Sequence, residues 1–229
     1  MVSLNTRYNV DNELFEIGVD EAGRGPMLGR VYSAAVILPG DDDDFKHGWM
    51  KDSKKFHSEK KIKEVANYIK DNAIAWGIGY STEEEIDFHN IKVATHLAMH
   101  KAIKSAIQMA IESKSDTIKK QDLQILVDGR DFKIYNVIDG ERGLVQIPHV
   151  CIEGGDNKFT AIAAASILAK VTRDEYINKL CEDDETLEER YYLKKNKGYG
   201  TKIHMDGIKK YGISKYHRKT FGICRDYTN

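Results

Sequence analysis

Long apolar runs are missing from this 229-residue chain: no stretch approaches the ~18 residues that a membrane span needs. The start, MVSLNTRYNVDNELFE, is polar and does not resemble a signal peptide. A cytoplasmic protein with no membrane partner is therefore expected. Cysteine is scarce as well. Cys151, Cys181 and Cys224 are odd in number and show no C-x-x-C spacing, so neither a disulfide framework nor a zinc knuckle is indicated and the thiols read as free. No internal repeat is visible, and the length suits one domain with or without a small appendage.

Net charge is also small, at −1, which on its face argues against a nucleic-acid partner. Its distribution reverses that reading. Residues 191–229 hold eight Lys and two Arg against Asp206 and Asp226, a net of +8 that leaves −9 for everything before them. The same tail carries Tyr191, Tyr192, Tyr199, Tyr211, Tyr216, Phe221 and Tyr227, a basic and aromatic mixture suited to phosphate contact and base stacking. The charged segment CEDDETLEER at 181–190, after which the composition switches to the basic tail, is the candidate subdomain boundary, with the subdomain taken from 181.

Residues 14–19 and 31–38 read as strands joined by the glycine-rich stretch GVDEAGRGPMLG, with a third strand at 73–80. Short connections predict an antiparallel meander. PGDDDD at 39–44 reads as a solvated loop. Helical spacing covers 58–70, with Ser58 as cap, and 90–112, where small residues imply close packing on a sheet. LQILVDG at 123–129 reads as a central strand, LVQIPHVCI at 144–152 as another with Pro148 at an edge or bend, and 158–178 as an interior helix. Strands alternating with helices, with acids at strand ends, indicate an α/β fold whose site lies at one sheet edge.

Those acids are Asp20 and Glu21 after the first strand, Asp128 after the fourth, and Asp156 ahead of the interior helix. Neighbouring strand residues face opposite ways, so Asp20 and Glu21 share a site only if the chain bends at once; Ala22 to Pro26 permits it. Oxygen-only ligands select hard ions such as Mg²⁺ or Mn²⁺. Equally, each acid by itself can cap a helix or complete a turn. GVDEAGRGPMLG fits neither a phosphate loop, lacking Lys-Ser or Lys-Thr, nor a dinucleotide fingerprint, whose third glycine would fall one position before Gly29.

Taken together, GVDEAGRGPMLG, DSKK at 52–55, EIDFHNIKVATHLAM from Glu85, VDG at 127–129, GGDNKFTAIAAASILAKVTRD, and KGYGTKIH followed by KKYGISKYHRKTFG resemble ribonuclease HII, the prokaryotic type 2 ribonuclease H. The matches keep the family's order from Ile17 to Gly222. The resemblance implies a ribonuclease H-like fold: a central mixed five-stranded sheet flanked by helices in residues 1–180, and a small basic helical subdomain over 181–229 that contributes to substrate binding. It further implies hydrolysis of the RNA strand in RNA/DNA hybrids and incision 5′ of ribonucleotides embedded in duplex DNA, leaving 3′-hydroxyl and 5′-phosphate ends, in replication and repair.

Carried over by position, Asp20, Glu21, Asp128 and Asp156 become the catalytic ligands of two Mg²⁺ or Mn²⁺ ions, with Asp174 as fallback for Asp156. Gly23, Arg24 and Gly25 become the ribose-reading turn, Tyr199 the junction sensor, and Lys54 and Lys55 phosphate contacts. His204 and His217 receive no role. Met27-Leu28-Gly29-Arg30 and the extra residue in DSKKFHSEKK depart from the family pattern. A monomer is expected, and GICRDYTN at the end shows no convincing sliding-clamp peptide. Two alternatives stand beside this reading: a ribonuclease HIII, although the first motif at Gly18 leaves no room for its N-terminal domain, and a catalytically silent hybrid-binding module.

Overall fold

A computed structural model describes residues 3–10, 14–40, 44–113, 118–140 and 142–228; Asp41 to Asp43 of the acidic run lie outside them. The meander forms as expected. Strand β1 (Phe15–Ala22) pairs antiparallel with β2 (Val31–Ile37), which pairs antiparallel with β3 (Ala75–Ser81). Strand β4 (Leu123–Asp128), apolar on both faces, lies parallel to β1.

The next apolar segment departs from expectation. Instead of one strand over 144–152, Pro148 divides two. Strands β5 (Tyr135–Asp139) and β6 (Gly143–Ile147) form a separate hairpin, and β7 (His149–Ile152) joins the main sheet parallel to β4. Proline has no N–H for a ladder, and here its carbonyl instead accepts from Ile125 N–H at 2.8 Å. The resulting five-stranded mixed sheet has the order β3-β2-β1-β4-β7.

Helices cover both faces. Helix α1 (Glu59–Asn72) starts at Ser58, whose hydroxyl accepts from Lys61 N–H, and buries Ile62, Val65, Ala66 and Ile69. A helix that the periodicity did not reveal, α2 (Glu83–His89), opens with a Thr82/Glu85 capping box and ends at Asn90, where φ is +71°. It leads into α3 (Ile91–Ser113), whose Ala98, Ala102 and Ala106 press on β3 so closely that a side chain at Gly77 or Gly79 would strike helix backbone.

Interior helix α4 (Thr160–Asp183) covers the opposite face with α1. At its first turns it meets β1 backbone to backbone: a Cβ on Gly18 would lie 2.1 Å from the Ala161 carbonyl carbon. Fully buried side chains such as Ile167 and Leu168 each contribute roughly 1.5–3 kcal/mol there.

Beyond α4, helices α5 (Glu185–Tyr191), α6 (Leu193–Asn196) and α7 (Lys202–Tyr211) gather a third cluster that includes Leu187, Tyr191 and Ile208. Met27 and Leu28 of the opening turn and Ile177 of α4 belong to the same cluster. Among the described residues no helix is long and apolar enough to cross a membrane.

Candidate active site

Strands β1, β4 and β7 run parallel, and the four acids leave from their carboxyl ends, the edge at which open α/β sheets bind ligands. Pairing between β1 and β4 stops at Val19 and Val127, so Asp20 and Asp128 sit where the two strands separate. Asp156 follows β7 in a turn of 3-10 helix, Gly155–Asn157. The bend expected over Ala22 to Pro26 comes only after β1 has run one residue past Glu21. Strand β1 continues against β2, with Asp20 opposite Ala34 and Glu21 opposite Ser33, because β2 supplies partners as far as Ala22. The turn begins at Gly23, whose φ of +94° suits glycine. Asp20 and Glu21 still line one cleft.

That cleft, about 240 Å³, is also lined by Gly23, Arg24, Gly25, Lys54, Asp128 and Tyr199. Asp20 is only 5% exposed. Burial, with the charges of Glu21 and Asp128 beside it, holds its pKa well above the usual carboxylate value, despite help from Ser166 and the Glu21 N–H at 2.7 Å. Glu21 is raised too, by burial first, although Arg24 at 3.3 Å favours its charge. Asp156 is raised by burial and then by Asp128 and Asp52.

Each acid leans on a local donor: Asp128 accepts from Gly155 N–H at 2.6 Å, and Asp156 from the Asn157 amide at 2.9 Å. Among the described residues no three potential ligands are arranged to hold an ion as they stand. Like charges without a counter-ion favour such separate partners. Burial works against the ammonium of Lys54, but Asp52, Asp156, Asp20 and Asp128 outweigh it and raise its pKa. Lys55 is exposed and pairs with the Asn157 side chain, which links it to the Asp156 turn.

Tyr199, 49% exposed, stands against Gly25: a Cβ there would lie 3.4 Å from its ring. Its carbonyl is fixed by a buried histidine pair. Ser214 N–H donates to His217 Nδ1 at 2.9 Å, so the His217 proton sits on Nε2 and is given to His204 Nε2 at 3.1 Å; His204 Nδ1 then donates to the Tyr199 carbonyl at 2.9 Å. Burial, followed by the nearby His204, depresses the His217 pKa to about 3.

The folded state therefore refuses a proton that the unfolded chain takes up below about 6.5, and stability falls as pH drops through this window. Histidine 217 alone accounts for about 2 kcal/mol lost between pH 7 and pH 5. Urea midpoints at the two pH values check this: the pH 7 to pH 5 loss shrinks in His217→Asn, and an unchanged loss contradicts the assignment.

Residues 17–224 match the family model described as ribonuclease HII. The chain belongs to the ribonuclease HII family. Ribonuclease HII of Parabacteroides distasonis is 43% identical over 208 residues, covering 91% of this chain and 90% of its own. Among solved structures, ribonuclease H2 from Pyrococcus horikoshii OT3 superposes with a TM-score of 0.61 at 24% identity over 93% of this chain and 96% of its own. Bst-RNase HIII, solved in complex with Mn²⁺, gives a TM-score of 0.66 at 16% identity over 94% of this chain and 70% of its own. These two likenesses carry the ribonuclease H fold alone, whereas the sequence relatives make the protein a ribonuclease H endonuclease.

Several residues around this ribonuclease HII cleft escaped sequence reasoning. Ser166, Lys170 and Arg173 of α4 line it together with Asp174; their spacing of three and four residues is one face of a helix and was the available signal. Asp174 pairs with Lys170 and lines the cleft together with Asp20, Glu21 and Asp128, whereas Asp156 lies outside that lining and is coupled to Asp128 by charge. The departures from the family pattern also find places. Met27 fills the gap against Gly200 and Gly222, and the Arg30 guanidinium stacks between Tyr80 at 4.3 Å and Tyr176 at 4.7 Å. In DSKKFHSEKK, Phe56 packs on the α1 side of the core and Ser58 caps α1.

Proposed function

We propose that this ribonuclease HII hydrolyses the RNA strand of RNA/DNA hybrids and nicks duplex DNA on the 5′ side of embedded ribonucleotides, with Mg²⁺ or Mn²⁺, in ribonucleotide removal in the cytoplasm. One observation carries the reading: Asp20, Glu21 and Asp128, at the ends of two parallel strands, line one cleft with Gly23-Arg24-Gly25 and Tyr199, and Asp156 lies close enough to Asp128 for its charge to raise the Asp156 pKa. The donor set fits hard divalent ions, since it is all oxygen and its buried carboxylates resist ionisation without added positive charge. Held by Asp20, Glu21, Asp128 and Asp156, two such ions would supply activation of water and stabilisation of the leaving oxygen.

The chain's own groups do the rest. The main chain of the turn approaches the sugar closely enough to bond a 2′-hydroxyl, the group that separates RNA from DNA. Tyr199 stacks on the neighbouring sugar and senses the junction. Lys54 and Lys55 neutralise phosphate beside the cut. A second groove of about 270 Å³ adjoins the cleft through Ser53, Lys170 and Asp174 and presents Lys63, Lys195 and Lys197, a path for further phosphates. In this reading, residues 181–229 act as the substrate-binding subdomain. Hydrolysis breaks the P–O3′ bond, leaving the hydroxyl upstream and the phosphate on the ribonucleotide.

Incubation with a long RNA/DNA hybrid tests the reading: cutting of the RNA strand with Mg²⁺ or Mn²⁺, abolished by chelator, is expected, and binding without cutting under both ions would leave a silent hybrid-binding protein. Tyr199→Ala is expected to slow cutting at single ribonucleotides about tenfold more than cutting of long hybrids. Equal losses on the two substrates contradict junction sensing.

A further inference from the structure

Arg218 is fully buried, yet among the described residues no carboxylate forms an ion pair with it. Its guanidinium is spent on main-chain carbonyls of the opening turn. Nη2 donates to Gly23 at 2.6 Å, Nη1 to Arg24 at 3.0 Å and to Pro26 at 2.8 Å, and Nε to Gly29 at 2.8 Å. Its own N–H donates to the Met27 carbonyl at 2.8 Å. Burying a guanidinium is costly even when every donor is used, and here burial, with Arg173 nearby, draws its pKa down to about 9. Met27 and Leu28 already tie the turn to the C-terminal cluster by apolar contact. Attachment alone leaves that cost unexplained.

Peptide geometry supplies the explanation. A trans peptide unit points its C=O and N–H in opposite directions, and among the described residues no peptide bond is cis. Across the trans units of the described residues 23–25, drawing the Gly23 and Arg24 carbonyls onto Arg218 turns the N–H groups of Arg24 and Gly25 the other way. Neither N–H is taken up by another described residue, and both residues line the cleft with Tyr199. We propose that Arg218 is a positioning residue for sugar recognition, holding the turn so that the Arg24 and Gly25 N–H groups stay aimed at the 2′-oxygen of the nucleotide being cut. This rests on the ribose-reading role proposed above for the turn. A lysine, whose donors radiate from one atom, cannot span the four carbonyls.

Arg218→Lys and Arg218→Met are compared with wild type on a duplex carrying one ribonucleotide, with an all-DNA duplex of the same sequence as competitor. The competitor's inhibition constant reports the basic surface and is expected to stay within about twofold. For the ribonucleotide duplex, kcat/KM is expected to fall about 30-fold, the loss of two aimed donors. A folded variant that keeps kcat/KM within threefold of wild type, or loses competitor affinity in proportion, overturns the proposal.

Should neither variant fold, wild-type protein labelled with ¹⁵N decides. The Arg24 and Gly25 amide signals shift with the ribonucleotide duplex and not with the all-DNA duplex; equal shifts, or none, overturn it. A wild type that never cuts the ribonucleotide duplex would instead remove the underlying functional reading.

Discussion

Asp20→Asn and Asp128→Asn proteins are expected to cut at least about 10³-fold more slowly than wild type, while binding substrate almost as well. Asparagine keeps the shape of the side chain but removes the charge and one acceptor oxygen. At Asp20 no neighbouring group can replace what is lost, because the side chain is buried, with Glu21 and Asp128 as its charged neighbours, at the point where β1 and β4 part. Stability should move the other way. Burial and two adjacent carboxylates oppose ionisation of Asp20, so without divalent ions the Asp20→Asn protein is expected to melt no lower than wild type at pH 7. Steady-state cutting rates and a melting curve check the pair of outcomes. An equally active Asp128→Asn protein would remove that residue from the essential set.

The Gly18→Ala protein is expected to lose at least about 3 kcal/mol of stability, roughly a 6 °C fall in Tm. The added methyl would sit 2.1 Å from the Ala161 carbonyl carbon, 2.4 Å from its oxygen and 2.5 Å from Ile162 nitrogen, all of them backbone. No rotamer relieves such a contact, so α4 must lift from β1. Ser166, Lys170 and Arg173 travel with that helix, and cutting should decline as well. Gly48, with nothing within 4 Å of its added Cβ, is the control, and Gly48→Ala should leave Tm unchanged. A Gly18→Ala protein melting within 2 °C of wild type contradicts the packing argument.

Much of the frame was legible because its signals are local. Apolar runs ending in acids located β1 and β4, alanine density located α4, and small residues at helical spacing foretold the close seat of α3. What escaped depends on partners distant in the chain. That β1 runs on past its acids follows from β2 reaching Tyr32, and the division of 144–152 follows from two sheets competing for it on either side of Pro148.

The basic tail shows the same limit from another side. By composition Arg218 counts as a phosphate contact and Tyr191 as a stacking ring. In the structure Arg218 is spent on the carbonyls of residues almost 200 positions earlier, and Tyr191 is buried with its hydroxyl donating to the Gly212 carbonyl at 2.9 Å. His204 and His217, unassigned by sequence, form the pair that fixes the Tyr199 carbonyl. Charge and aromaticity single out the tail, but only packing separates its exposed groups, such as Tyr199, from those that hold the others in place.

The most direct test of the account uses an end-labelled DNA duplex with one ribonucleotide. Wild-type protein with Mg²⁺ or Mn²⁺ is predicted to give a single nick on the 5′ side of that ribonucleotide, with a 3′-hydroxyl upstream and a 5′-phosphate downstream, and to leave the all-DNA duplex intact. A protein that binds this duplex yet never cuts it with either ion, or that cuts equally well with a chelator present, would contradict the account.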